Sequence, residues 1–314
     1  MVRPSHSLAN NQIAVVCPTY NAGKLWKDWI EALLKQSIKP NKILIIDSGS
    51  NDGTVELTKQ YELDVYVLSN EKFNHGGTRN LGVKMIQEEN DLVVFLTQDA
   101  ILATEDSLFN IVEPFADQNV AAVCGRQLPN KNAKPLEEHA RLFNYPNTSK
   151  IKSKEDILVL GIKTAFMSNS FAAYRLAHFN SAGGFPEDTI FAEDMSIAAK
   201  LILEGYKIAY CAQACVHHSH SYTMLEEFKR YFDVGVFYSR EKWVKNNFGT
   251  AGGEGVKFVI SEIKFLIKSS KFLLIPSALV RTFLKLLAFK LGRIEKHLPN
   301  GVKYRISMNK NYWR

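Results

Sequence analysis

Three groups of residues in this chain carry side chains able to move a proton or hold a cation. The first is Asp99, which follows the apolar run Leu92–Leu96 after Thr97-Gln98. A carboxylate at the carboxyl end of a buried strand can hold Mg²⁺ or Mn²⁺ between itself and a diphosphate. It can also simply cap the segment after Ala100. The second group is Glu193-Asp194, which follows Gly183-Gly184-Phe185-Pro186 and precedes a helix. Acids are favoured at a helix N-terminus by the dipole alone. As chemistry, one of them takes a proton from an attacking hydroxyl. The third is His217-His218-Ser219-His220, the densest imidazole cluster in the chain. Cys211 and Cys215 upstream make zinc conceivable, but Cys-x3-Cys-x-His-His is not a usual zinc spacing. One histidine, His218 or alternatively His220, completing the ligand set of a metal on Asp99 is more economical, since imidazole and carboxylate both suit Mn²⁺.

Two further segments are suited to binding. Asp47 ends an apolar run and is followed by Ser48-Gly49-Ser50-Asn51-Asp52-Gly53-Thr54. Asp47 reads as a group for a base or ribose, whereas Asn51 to Thr54 read mainly as turn and helix cap. His75-Gly76-Gly77-Thr78-Arg79-Asn80 opens a helix, where glycines permit close backbone approach and exposed N–H groups favour an anion. Gly-x-Gly-x-x-Gly is absent, so this is no dinucleotide fingerprint.

The elements that must position these groups follow from periodicity. Ile13–Cys17, Lys42–Asp47, Val65–Leu68, Leu92–Leu96 and Val120–Cys124 read as strands, with helices after the first three from Leu25, Thr54 and Thr78. Such alternation predicts an α/β fold with an open, mostly parallel sheet covered on both faces. Its ligands bind beyond the carboxyl ends of the strands, where Thr19-Tyr20-Asn21, Asp47-Ser48 and Gln98-Asp99 fall. Lys131 to Lys154 reads as a polar, irregular excursion, Ala165–Tyr174 as extended and Met195–Leu203 as a helix. Helical periodicity dominates from Met224, with a linker at Gly249–Gly255.

Composition sets limits. Hydrophobic residues at 46% and charged residues at 23% suffice for a sizeable core. Four scattered cysteines make no disulfide framework, and a reducing cytosol fits. The polar Met1–Asn11 has no signal-peptide pattern. No stretch approaches the roughly 20 apolar residues of a spanning helix, so the expectation is a chain that does not cross a membrane.

Taken in order, Pro18-Thr19-Tyr20-Asn21, Asp47 to Thr54, Gly77-Thr78-Arg79-Asn80, Gln98-Asp99, Gly183-Gly184-Phe185 and Glu193-Asp194 resemble glycosyltransferase family 2, the inverting GT-A class. The resemblance covers about residues 12 to 225. Phe73 to Asn80, Thr97-Gln98-Asp99-Ala100 and His218-Ser219-His220-Ser221-Tyr222 resemble its bacterial rhamnosyltransferase branch, which builds O-antigen and other surface polysaccharides. The resemblance implies a GT-A catalytic domain over 12–225, a flexible 1–11 and a helical, basic region over 226–314. It implies Asp194 as catalytic base, with Glu193, Gly184 and Phe185 on the acceptor side. Thr19, Tyr20, Asn21, Asp47, Ser48, Arg79 and Gln98 would bind a dTDP-L-rhamnose donor. A Mg²⁺ or Mn²⁺ ion would sit on Asp99 and His218, and the acceptor would be a glycan on undecaprenyl diphosphate. Two positions depart from the family: Thr97-Gln98-Asp99 has one acid where two or three are usual, and Ser48 replaces a second acid after strand 2. Another nucleotide sugar, such as UDP-galactose or UDP-N-acetylglucosamine, is an alternative donor. A sugar-binding member without catalysis is the alternative from another class.

The net charge of +7 is uneven. Val256 to Arg314 holds thirteen Lys or Arg against Glu262 and Glu295, and the body is mildly acidic. Leucines, isoleucines and phenylalanines interleave with these cations, which suits helices lying on an anionic inner leaflet. The expected location is therefore peripheral, on the cytoplasmic face of the bacterial inner membrane. No recognised motif supports nucleic acid, and the sequence sets no oligomeric state.

Overall fold

A computed structural model describes residues 11–69, 73–249 and 253–314; the expected flexible segment 1–11 lies almost wholly outside them. The strands are β1 (Ile13–Thr19), β2 (Lys42–Asp47), β3 (Asp64–Val67), β4 (Leu92–Leu96), β5 (Ile101–Leu102), β6 (Val120–Leu128), β7 (Lys150–Lys152), β8 (Phe171–Arg175) and β9 (Lys207–His217). The α-helices are α1 (Trp26–Leu34), α2 (Thr54–Gln60), α3 (His75–Ile86), α4 (Ser107–Val112), α5 (Pro135–Asn144), α6 (Ile157–Leu160), α7 (Leu176–Ser181) and α8 (Glu193–Leu203). After β9 come α9 (Met224–Arg240), α10 (Lys242–Phe248), α11 (Glu254–Lys268), α12 (Ile275–Arg293) and α13 (Asn300–Ile306).

One sheet runs β3-β2-β1-β4-β8-β6-β9-β5, with β7 also paired to β9. The half from β3 to β4 is parallel, as the strand–helix alternation requires. Beyond β4 it becomes mixed, because β8 enters antiparallel between β4 and β6. The chain reverses direction across the sheet between β1 and β4, the switch point where such sheets bind ligands. The strand faces alternate strictly. Ala14, Val16, Val93 and Phe95 face the core under α3 and α8, and Val15, Cys17, Val94 and Leu96 face the core under α1 and α4.

Two expectations change. Lys131 to Lys154 is not irregular: it contains α5, started by Pro135 with Glu137 and Glu138 in its first turn, and the short β7. The expectation about apolar length is also corrected. Phe272–Arg293, 22 residues containing an 18-residue window with a mean hydropathy of 1.8, is long and apolar enough to cross a membrane by length and composition. An uninterrupted apolar run is too strict a criterion, since a spanning window tolerates a few charges.

The C-terminal helices share the main core. Phe232, Val236 and Phe237 of α9 and Ala288 of α12 belong to the cluster containing Tyr174 and Phe185. α9 and α12 meet at glycines: a Cβ at Gly292 would lie 2.1 Å from the Phe232 carbonyl oxygen, and one at Gly235 2.3 Å from that of Phe289.

Candidate functional site

The carboxyl ends of β1 and β2 are latched together by their own loops. Their register pairs Thr19 with Asp47. The Asp47 carboxylate accepts from Thr19 Oγ1, Ser50 Oγ and the N–H groups of Gly49 and Ser50. Asn21 donates its N–H to Ser50 Oγ and accepts from the Asn51 N–H, while Asp52 accepts from Gly23 and Thr54. The turn reading of Asn51 to Thr54 thus extends to a cross-link between two loops. Asp47 is wholly buried and its oxygens are engaged by the loop, so it shapes the rim from beneath. Ser48 is buried with an unpartnered hydroxyl, and the Tyr20 ring is exposed. Gln98 clamps the Tyr20 peptide, accepting from its N–H at 2.7 Å and donating to its carbonyl at 3.1 Å. From the opposite face, Trp29 of α1 donates its indole N–H to the Thr97 carbonyl, fixing the turn that carries Asp99.

Asp99 meets two imidazoles. His218 Nε2 is 3.3 Å from Oδ1 and His220 Nδ1 is 3.7 Å from Oδ2. The sequence reading set these histidines as alternatives, whereas the fold brings both to the same carboxylate. The reason is the extended run after β9: side chains alternate, so His218, His220 and Tyr222 face one way and Ser219 and Ser221 the other. Both serines donate to Glu137 of α5, and the His220 ring stacks on Tyr222. His218 Nδ1 faces Gln127 Oε1 at 2.9 Å, and Gln127 also accepts from Arg141 and donates to Ser168. With that network Nδ1 is the donor, which leaves Nε2 as the nitrogen facing Asp99, with a lone pair to offer a cation whenever it carries no proton.

Lone pairs that converge in this way ask for a proton or a cation between them. Burial works to raise the Asp99 carboxyl, but the hydrogen bond and charge of His218, and then His220, outweigh it and hold it well below its ordinary value. Burial, and next the charge of His218, push His220 down to about 4. Ligand atoms of Asp99, His218 and His220 all lie within 4.8 Å of one another. A carboxylate with two imidazoles fits Mn²⁺ by ligand chemistry, and the bond from His218 Nδ1 to Gln127 is the kind of outer contact that orients a metal-binding histidine. Cys211 and Cys215 take no part: both thiols bond to backbone carbonyls.

Asp194 reaches the same edge through β8. Leu96 pairs with Phe171, so Ser168-Asn169-Ser170 lies beside Thr97, whose N–H bonds the Ser170 carbonyl. The Asn169 N–H donates to Asp194 Oδ2 and the Met195 N–H to Oδ1. Burial, and second the neighbouring Glu193 charge, raise Asp194 to about 7. Glu193 itself points inward, 3.0 Å from Arg79 with both side chains buried. Burial opposes its charge, but Arg79 and then His75 bring the Glu193 carboxyl below its usual range.

The glycine segment at α3 and the Gly-Gly-Phe segment form one scaffold. Asn80 clamps the Phe185 peptide from both sides, accepting from its N–H and donating to its carbonyl. Asn74 caps Gly77 and donates to the Glu187 carbonyl. A Cβ at Gly76 would lie 2.2 Å from the Pro186 oxygen. The start of α3 is therefore capped and covered, which corrects its reading as an anion site. Phe185 packs edge-on against Phe95, Tyr174 and Phe179 in the core. Gly184 holds φ at +70° so that Asn80 can approach. Phe185, Gly184 and Glu193 thus face the protein rather than an acceptor, and Arg79 faces Glu193 rather than a nucleotide.

Gln127, Arg141, Ser168, Asn169 and Glu137 were not singled out from the sequence. Gln127 sits near the end of an apolar strand, and Glu137 and Arg141 lie in the polar stretch 131–154; the signals were Pro135 followed by two acids, and the run Ser168-Asn169-Ser170 ahead of a strand.

Comparison with known proteins gives the family and the fold. The family model described as Glycosyl transferase family 2 matches residues 14–182. The chain is 54% identical over 303 residues to the O-antigen chain rhamnosyltransferase RfbN of Salmonella typhimurium, covering 96% of each chain. It is 54% identical over 300 residues to the O-antigen chain rhamnosyltransferase WbaN of Salmonella anatum, covering 95% of each. Among solved structures, the mannosyltransferase PcManGT from Pyrobaculum calidifontis, in complex with GDP-Man and Mn²⁺, superposes with a TM-score of 0.62 at 16% identity. It covers 92% of this chain and 88% of that one. With its motifs in order, a GT-A fold and relatives matched over nearly their whole length, this chain belongs to glycosyl transferase family 2.

Proposed function

We propose that the chain transfers L-rhamnose from dTDP-β-L-rhamnose to a hydroxyl of a lipid-linked glycan, with inversion, during O-antigen synthesis. The relatives named for O-antigen rhamnosyl transfer support the sugar and the pathway. The observation that carries the chemistry is Asp194. It is a carboxylate aimed by two backbone N–H groups at the edge that holds Asp99, with a proton affinity raised toward neutrality. A base near the working pH is well matched to an acceptor hydroxyl.

Asp194 takes the proton of that hydroxyl as its oxygen attacks the anomeric carbon. The bond from that carbon to the diphosphate oxygen breaks on the opposite face, so a β-linked donor gives an α-rhamnoside. Thr19, Tyr20, Asn21 and Ser48 form the rim where the nucleotide binds, and Asp47 and Gln98 hold that rim in shape. Asp99, His218 and His220 would hold Mg²⁺ or Mn²⁺, which when bound neutralises charge on the leaving diphosphate. Arg79 keeps Glu193 ionised and inward, and that charge raises the proton affinity of Asp194.

In this reading, residues 12–225 are catalytic and 226–314 hold the protein on the cytoplasmic face of the inner membrane. α12 supports the second part: Leu279, Val280, Phe283 and Leu287 are exposed along one helical face. Replacing Asp194→Asn tests the chemistry. Binding of dTDP-rhamnose, measured by calorimetry, should stay within about threefold, while transfer should fall by at least a thousandfold, in line with loss of a proton acceptor. Transfer within tenfold of wild type would remove Asp194 from the role.

A further inference from the structure

Between β7 and the C-terminal helices lies a cavity of about 990 Å³. Phe143, Phe166, Phe258, Leu286 and Phe289 make much of its wall. Six cations stand in the same wall: Lys150, Lys152, Lys163, Lys245, Lys285 and Arg293. Among the described residues Glu254 is the one acid in that wall; Lys163 and Lys257 pair with it, and Lys150 pairs with Asp156 outside the wall. An apolar cavity with a surplus of cations selects a ligand with an apolar body and an anionic end.

Lys152 sharpens the point. It is 5% exposed, and its ammonium donates to the carbonyls of Lys163 and Phe166 at 3.2 and 3.1 Å. No carboxylate lies within ion-pair distance of it among the described residues. A buried cation of this kind is costly unless an anion joins it, and burial already pushes it down to about 8.

Two wall residues tie the cavity to its surroundings along the chain. Phe166 is three residues from Asn169, whose N–H holds Asp194, and three residues span at most about 10 Å. Leu160 directly follows Leu158 and Val159 of α6, which are 94% and 85% exposed.

We infer that this cavity binds the apolar-chain diphosphate end of the acceptor. The diphosphate lies against Lys152 and Lys163, and the chain leaves past Leu158 and Val159 toward the bilayer. The assignment rests on the reading of the acceptor as lipid-linked. It accounts for the cation surplus, and it gives the glycan a fixed anchor close to the base.

Calorimetry with the full chain in detergent, using farnesyl diphosphate as probe, tests it. Gly255→Phe fills the cavity without a backbone clash, because a Cβ there meets nothing within 4 Å. Lys152→Gln removes the buried cation. Saturable binding of farnesyl diphosphate is expected, at least tenfold weaker in each variant, with unchanged melting by circular dichroism for Gly255→Phe. Farnesol and pyrophosphate should each bind at least tenfold more weakly than the probe. Absence of saturable binding, or unchanged affinity in Gly255→Phe, overturns the inference. Equal affinity for phosphatidylglycerol also overturns it, by making the cavity a site for membrane lipid. Cavity-dependent binding in a protein that turns over no dTDP-rhamnose would leave the inference standing and sink the proposed donor.

Discussion

Asp194 is held by two N–H donors that favour its charged form, yet burial and the charge of Glu193 outweigh them. Two consequences follow at the residue scale. Transfer needs the carboxylate, so the rate should rise with pH and level off above about 7; a pH profile flat from 5.5 to 8.5 contradicts this. The sign for stability is opposite. A carboxyl whose folded value is raised stabilises the fold most below its unfolded value, and that stability is lost as pH rises through about 7. The free energy of unfolding of Asp194→Asn relative to wild type, measured by urea denaturation, should therefore increase between pH 5 and pH 8. The difference should be on the order of 1–3 kcal/mol, discounted for the solvent the side chain still meets. At the metal site, Gln127 orients His218. Gln127→Leu should weaken Mn²⁺ binding by about 10- to 100-fold, measured by titration of the purified protein, as loss of an outer contact does elsewhere.

At the scale of elements, α3 and the Gly183–Glu187 segment are locked by Asn74, Gly76 and Asn80. Gly76→Ala forces a methyl against the Pro186 carbonyl and should cost about 1–3 kcal/mol in urea denaturation, the range of overpacking. Activity should fall with it, because that segment leads into Glu193-Asp194. What the sequence made legible here was the parallel half of the sheet. Apolar runs ending in Thr19, Asp47 and Asp99 announce strands whose polar ends share one edge. The antiparallel entry of β8 was not legible, since alternation says which residues face a core but not which strand lies alongside. For the same reason Gly184 and Phe185 looked like acceptor contacts. A motif fixes that a residue matters, and only packing decides whether an aromatic ring fills a pocket or a core. α5 was hidden because Lys131 to Lys154 is polar, although Pro135 with two following acids marks a helix start.

For the whole molecule, the C-terminal helices present two contrasting faces. α9 and α12 dock through Gly235 and Gly292 onto the catalytic core, while the far face of α12 stays apolar and exposed. The full chain should float with vesicles containing phosphatidylglycerol and lose that binding in high salt, since screening acts on the tail's cations. Leu279→Ser with Phe283→Ser should weaken partitioning by at least tenfold, because each side chain contributes about 1.5–3 kcal/mol on burial. Flotation unaffected by the pair would leave the face without a membrane role.

Cation-assisted rhamnosyl transfer is checked by a donor panel. dTDP-rhamnose, UDP-galactose and UDP-N-acetylglucosamine would each be incubated with the protein and acceptor lipid, with Mn²⁺ and with chelator, and release of nucleotide measured. Turnover is predicted with dTDP-rhamnose alone, abolished by chelator and restored by Mn²⁺. Turnover of another donor in its place, or a rate indifferent to chelator, would contradict the account.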